Sequence, residues 1–190
     1  MVEPVARSPI VQAPPVVVRD GWEVSDRRST ADLTLADCTA TRKTLVRGVG
    51  ALPVPLGRAR RDTRNGPLVV GSGPGEWTVL GGDGRVEAEG DFVSVIDLTH
   101  GRALVRLTGA RAGEVLAKLC AVDLCDRVTP DGAAFRSRVA DLVTDVVRDD
   151  RDGTRSYLLH CERSSGQYLF DCLLDAGAEF GVEPTGALPV

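Results

Sequence analysis

The feature that most constrains this chain is a pair of helix-spaced apolar stripes separated by a hairpin pattern. Ala112, Val115, Leu116 and Leu119 fall at i, i+3, i+4 and i+7 within 110–120, one apolar face of a helix. Leu169, Cys172, Leu173 and Ala176 make a second such stripe, preceded by Ser164 and Gln167 at capping-box spacing and followed by Gly177 as a plausible stop. Between the stripes, 138–148 and 154–161 read as two strands around the polar turn Asp149-Asp150-Arg151-Asp152-Gly153. Ahead of them, 92–98 and 102–107 read as strands around Thr99-His100-Gly101. The order β-α-β-β-α is that of a split βαβ, ferredoxin-like unit. The expected fold class is therefore α+β, with one helix layer over a mixed, largely antiparallel sheet.

The first half carries no helix pattern. Short β-like runs at 33–36, 41–47, 67–70 and 77–80 are broken by Gly and Pro, so 30–90 is expected to supply a second, β-rich sheet docked on the first. The stretch Gly71-Ser72-Gly73-Pro74-Gly75 resembles a phosphate cradle in composition only. A dinucleotide fingerprint needs a helix after the glycines, and Glu76-Trp77-Thr78-Val79-Leu80 reads as a strand. Arg58, Arg60, Arg61 and Arg64 form a basic run ending in the turn signal Asn65-Gly66, either a solvated loop or a partner-facing one. Pro4, Pro9, Pro14 and Pro15 deny helix and central strand, so 1–29 is expected to be an extended or disordered arm. Its Pro14-Pro15-Val16-Val17-Val18 run is suited to lying across a partner. One domain over 30–182 and a tail over 183–190 complete the division.

Composition narrows the function classes. With 43% hydrophobic and 26% charged residues the chain can bury a core, and with 4% aromatics that core must be aliphatic. A net charge of −4 argues against a nucleic-acid partner. No apolar stretch approaches the roughly 20 residues of a membrane helix, and the first residues lack the basic-then-apolar order of a secretory signal. Arginine greatly outnumbers lysine (only Lys43 and Lys118), a skew that fits GC-rich codon usage or an arginine-rich recognition surface. Cys38, Cys120, Cys125, Cys161 and Cys172 form no CxxC pair, and with His100 and His160 they show no metal-ligand spacing. Thiols of this kind are expected in a reducing cytoplasm, and no metal is expected.

No catalytic constellation stands out. His100 has Asp97 three residues earlier, an orienter–imidazole spacing without an accompanying nucleophile motif. His160 reads as a packed or edge strand residue. Asp141 and Asp145, four apart on one β run, would share a sheet face, with Arg136 and Arg138 near enough to pair with them. They are the weak candidates for facing a basic small molecule such as a pterin. The absence of a constellation favours a binding or assembly role over an autonomous enzyme.

A collinear set of short motifs resembles the gamma subunit of heterotetrameric sarcosine oxidase. The set runs from Leu35-Ala36-Asp37-Cys38 through Gly73-Pro74-Gly75-Glu76-Trp77 to Asp97-Leu98-Thr99-His100-Gly101-Arg102. It continues with Leu119-Cys120-Ala121-Val122-Asp123-Leu124, Arg163-Ser164 and Leu173-Leu174-Asp175-Ala176. That family is similar in fold to the folate-binding domain of the glycine-cleavage T-protein. The resemblance implies a non-catalytic subunit packed against alpha, beta and delta partners in a complex that oxidatively demethylates sarcosine or a related N-methyl amine. FAD, FMN, NAD and tetrahydrofolate are implied for the complex, and none of them for this chain. Glu76, Trp77, Asp97, His100, Arg102, Arg163 and Ser164 are the family-motif or interface candidates it implies. The alternative is a stand-alone folate-dependent aminomethyl or one-carbon transferase.

Overall fold

A computed structural model describes residues 4–61, 63, 66–90 and 92–186. In chain order the strands of the first half are β1 (Ala6–Arg7), β2 (Val16–Arg19), β3 (Trp22–Ser25), β4 (Leu33–Asp37), β5 (Lys43–Arg47), β6 (Ala59–Arg61), β7 (Leu68–Gly73), β8 (Glu76–Leu80) and β9 (Ser94–Asp97). Then follow β10 (Arg102–Gly109), α1 (Ala112–Ala117), β11 (Ala134–Val139), β12 (Leu142–Arg148), β13 (Ser156–Glu162), α2 (Gly166–Gly177) and β14 (Glu183–Thr185). They form a six-stranded sheet ordered β11-β12-β13-β10-β4-β14, a five-stranded sheet ordered β6-β7-β8-β5-β9, and a three-stranded sheet ordered β1-β3-β2. The α+β class and the second sheet supplied by the first half are both present. The sheets interleave in sequence, because β4 leaves the first half to pair with β10.

Strand alternation divides the six-stranded sheet cleanly. Leu35, Val105, Leu107, Val146 and Leu159 face α1 and α2, where they pack with Val115, Leu116, Leu169 and Leu173. Their neighbours Ala36, Leu104, Val147 and Leu158 face the other way and meet Leu68, Val70 and Leu80 of the five-stranded sheet. A third cluster, Val46, Ala51, Val54, Trp77 and Val79, covers the outer face of that second sheet.

Three local expectations are corrected. The run 138–148 is two strands, not one: Ala140 and Asp141 have φ of 49° and 64° and form the turn between β11 and β12. Asp141 tolerates left-handed backbone, but alanine stands beside it where a Gly or Asn would mark a turn, so the signal in the sequence is weak. Asp141 therefore sits on an exposed hairpin tip and does not share a sheet face with Asp145. The capping box does not form either. Arg163–Ser165 is a 3-10 turn, no side chain caps α2, and the Gln167 amide instead donates to Asp171 while its carbonyl accepts from the Val11 N–H at 2.6 Å. The left-handed stop is Gly181 (φ 69°), one 3-10 turn beyond Gly177.

The stretch read as an extended or disordered arm also folds. Its prolines sit outside the strands, the Asp20-Gly21 turn joins β2 to β3, and Ile10 is buried in the helix-side core. Gln12 ties the segment down, accepting from Ser25 N–H and donating to Asp37. At the other end β14, within the expected tail, pairs in parallel with β4.

The glycine-rich stretch is the β7–β8 hairpin with an irregular register between Gly71 and Gly73. A Cβ on Gly71 would lie 2.2 Å from the carbonyl oxygen of Pro55, so only glycine lets the 55–57 segment cross there. Gly71→Ala is expected to lower stability by about 1–3 kcal/mol, as overpacking does. Gly73→Ala, whose added Cβ would meet only the Glu76 side chain at 3.3 Å, should cost less. Urea midpoints of the two variants check the order.

Candidate functional site

The alternation that points Leu104 and Leu158 into the seam between the sheets also points Arg102, Arg106, Ser156 and His160 there. On the adjoining strands Asp145 lies opposite His160, and Arg136 lies opposite Asp145. The apolar strip of the seam is thus flanked by two polar clusters, one at each end.

At the first end the Arg136 guanidinium donates to both Asp145 oxygens, at 2.6 and 3.1 Å. Arg102 and the His160 Nδ1 approach the same carboxylate at 3.6 and 3.7 Å. Glu76, at the start of β8, bonds Arg47 at 2.9 Å and stands 3.9 Å from Arg136, so it closes the cluster from the second sheet. Burial works to raise the Asp145 carboxyl, and the bonds from His160 and Arg136 more than offset it, holding it below the ordinary carboxylate value. Burial also pushes His160 down, against the pull of Asp145. The result is a neutral imidazole at neutral pH whose Nε2 has no partner.

This cluster gathers three of the sequence candidates, Asp145, Glu76 and Arg102, and leaves the others apart. Asp141 pairs with Arg138 on the exposed tip. Trp77 faces the opposite side of its sheet, its indole N–H donating to the Val54 carbonyl at 2.7 Å. Asp97 accepts the Thr99 N–H at 2.7 Å, and Thr99 lowers its pKa, so it orients the turn and not an imidazole. His100 instead stacks on Trp22, with ring centroids 4.7 Å apart. Arg163 reaches back to the Arg7 carbonyl, and Ser164 lies in the turn before α2. His160, read as a packed strand residue, is packed, and it is also the acceptor-bearing centre of the cluster. Its seam-facing parity with Leu158 is the signal that could have placed it there.

Tetrahydrofolate, implied for the complex, does not fit at the two aspartate candidates. Both Asp145 oxygens are engaged, and the space beside them is about 70 Å³, against roughly 300–1,000 Å³ for a small-molecule pocket. No step is assigned to folate here. Cys38 and Cys161, pushed up to about 11 by burial, behave as small hydrophobes rather than nucleophiles.

At the second end the sheets splay around a cavity of about 640 Å³ between β6, β4, β10 and the 149–152 turn. Five arginines and four aspartates are among its lining residues. Arg61 grips Asp149 through two bonds, at 2.9 and 3.2 Å, and Arg106 donates to the same carboxylate at 2.6 Å and to the Ser156 hydroxyl at 2.9 Å. The basic run foreseen at 58–64 thus contributes Arg60 and Arg61 to this wall; Arg64 and Asn65 lie outside the described residues. Sequence reasoning missed Arg106 and Ser156, because pairing them needs the β10–β13 register.

Two β-sheets face to face, with two helices on the outer side of one, define an α+β sandwich. Residues 79–188 match the GCVT N-terminal domain, and the chain belongs to that family. An aminomethyltransferase of Geobacillus thermodenitrificans is 34% identical over 110 residues, which span 58% of this chain and 28% of that protein. Among solved structures, a chain of heterotetrameric sarcosine oxidase from Corynebacterium sp. U-96 shares the fold. Its TM-score is 0.66 at 21% identity, over 83% of this chain and 90% of that one. The glycine cleavage system aminomethyltransferase T of Bartonella henselae matches with a TM-score of 0.67 at 18% identity, over 90% of this chain and 55% of that one. The chain therefore spans about half or less of the aminomethyltransferases it matches.

Because His160 is held neutral in the folded chain, the unfolded chain binds an extra proton as pH falls through about 6.5. Stability should therefore decline between about pH 7 and pH 5 in the native sequence and decline less in His160→Gln, as read from urea unfolding at a series of pH values.

Proposed function

We propose that this chain is a non-catalytic assembly subunit of a sarcosine-oxidase-like flavoenzyme complex that oxidatively demethylates an N-methyl amine. The reading carries over the gamma-subunit resemblance and is supported by the extent of the fold match, which takes in nine-tenths of a chain from such a complex. The observation that carries it is the edge of the five-stranded sheet. Among the described residues β9 pairs only with β5, and its outer backbone groups meet no other strand. Phe92 is 99% exposed, and Val95 and Ile96 on the strand are 50% and 42% exposed. An edge of this kind is a template for pairing unless it is covered.

The remaining features agree with a supporting role. Asp145 is bound by Arg136, His100 by Trp22 and Asp97 by Thr99, so the titratable candidates are spent on holding the fold. The partners are flavoprotein subunits in the cytoplasm, and flavin, dinucleotide and folate sites belong to them. No helix among the described residues is long and apolar enough to cross a membrane. The alternative, a stand-alone folate-dependent aminomethyl or one-carbon transferase, requires tetrahydrofolate to bind this chain by itself.

Co-expression with the alpha, beta and delta subunits of a sarcosine-oxidase-like complex tests the reading. The tagged chain is expected to retain a yellow, flavin-bearing complex, and the double variant Phe92→Ser, Ile96→Lys is expected to lose it by at least about tenfold, as hot-spot removal does. Retention of the complex by a folded double variant would remove the edge from the interface. Saturable tetrahydrofolate binding to the isolated chain would favour the alternative.

A further inference from the structure

We propose that the cavity between the sheets binds a small organic monoanion, a carboxylate carried on an apolar body, with Arg61 and Arg106 as its cationic wall. The cavity, about 640 Å³, lies in the size range of small-molecule sites. Arg106 is 3% exposed, and Arg61 and Asp149 are each 11% exposed by side chain, so the charges stand in a region largely removed from water. Two buried guanidinium groups share the one Asp149 carboxylate. Their other bonds go to neutral oxygens: the Gly66 carbonyl for Arg61, and the Ser156 hydroxyl and Asp149 carbonyl for Arg106. The Arg106 Nε is buried without a partner among the described residues. Among the described lining residues five arginines stand against four aspartates, an excess of one formal positive charge in a confined space, where a bound monoanion is favoured. Arg151, also 3.2 Å from Asp149, registers the same field: burial lowers its pKa first, and the Arg106 and Arg61 charges lower it further.

The rest of the lining selects among anions. Ala36, Ala59 and Leu68 offer apolar wall, and the Thr108 hydroxyl bonds the Ser156 hydroxyl at 3.0 Å beside the guanidinium groups. Arg61 spends its fork on Asp149, and Arg106 keeps its Nε–H, for which a carboxylate oxygen is a charge-assisted acceptor. Four aspartates in the lining oppose a polyanion such as a nucleoside triphosphate. The inference uses none of the residues of the β9 edge and stands independently of the assembly role.

The test is isothermal titration of the full chain with naphthalene-2-carboxylate, with naphthalene-2-methanol and inorganic phosphate as comparison ligands. The carboxylate is expected to bind saturably with a Kd below about 1 mM, and the alcohol and phosphate at least about tenfold more weakly. Arg106→Met should abolish binding. Ala59→Leu, which narrows the cavity and leaves every guanidinium in place, should weaken it by at least about fivefold, with melting curves confirming that each variant folds. No saturable binding at about 10 mM carboxylate, equal binding of the alcohol or of phosphate, or unchanged binding by folded Ala59→Leu would overturn the proposal.

Discussion

The apolar contact between Leu104, Val147 and Leu158 of one sheet and Leu68, Val70 and Leu80 of the other is the constraint from which most of the molecule follows. Strand alternation is strict, so burying these side chains drags the residues two positions away into the same seam. Those residues are Arg102, Arg106, Asp145, Ser156 and His160, and the three charged ones cannot enter a dry interface alone without a cost of several kcal/mol. Each therefore needs compensation nearby. Asp145 obtains it from Arg136 across the β11–β12 pair, and Arg106 from Asp149 at the end of β12. Lys43, opposite Leu80, is taken in the same way. Its ammonium donates to the Thr39 and Thr41 carbonyls, and burial lowers its pKa to about 8.

Much of the fold was legible where sequence period and local chemistry agreed. The helix stripes at Ala112–Ala117 and Gly166–Gly177, and the Asp152-Gly153 hairpin between β12 and β13, announce themselves through periodicity and a residue that tolerates left-handed backbone. The break at Ala140-Asp141 has no glycine, and its one turn-prone residue, Asp141, follows an alanine, so the reading of 138–148 as one strand put Asp141 beside Asp145. The N-terminal segment was misjudged for a different reason. Its prolines were counted as a composition, yet they fall between strands, and what orders the segment is the burial of Ile10, Trp22 and Val24 together with the bonds of Gln12.

The polar site was legible only in part, because its members come from five strands. Asp145 and Arg136 were visible as near neighbours in sequence, and the resemblance pointed to Glu76 and Arg102. What joins them is the register His160–Asp145–Arg136 across three strands, a non-local quantity that single-strand patterning does not contain. The same holds for Arg106 and Ser156 at the other end, separated by 50 residues and joined by a hydrogen bond.

The two ends of the seam differ in where their walls come from, and that bears on what each can be for. The family match covers 79–188, which includes Arg102, Arg136, Asp145 and His160 but leaves out β4, β6 and β7. The filled end is therefore built largely from matched sequence and serves the sandwich itself, locking β11, β12, β13 and β10 at a fixed level. The open end is composite: Arg106, Asp149 and Ser156 lie within the match, while Ala36, Ala59, Arg61 and Leu68 lie outside it. The cavity thus lies where strands inside the match meet strands outside it, so its walls are brought together only by the pairing of β4 with β10 and the packing of the two sheets.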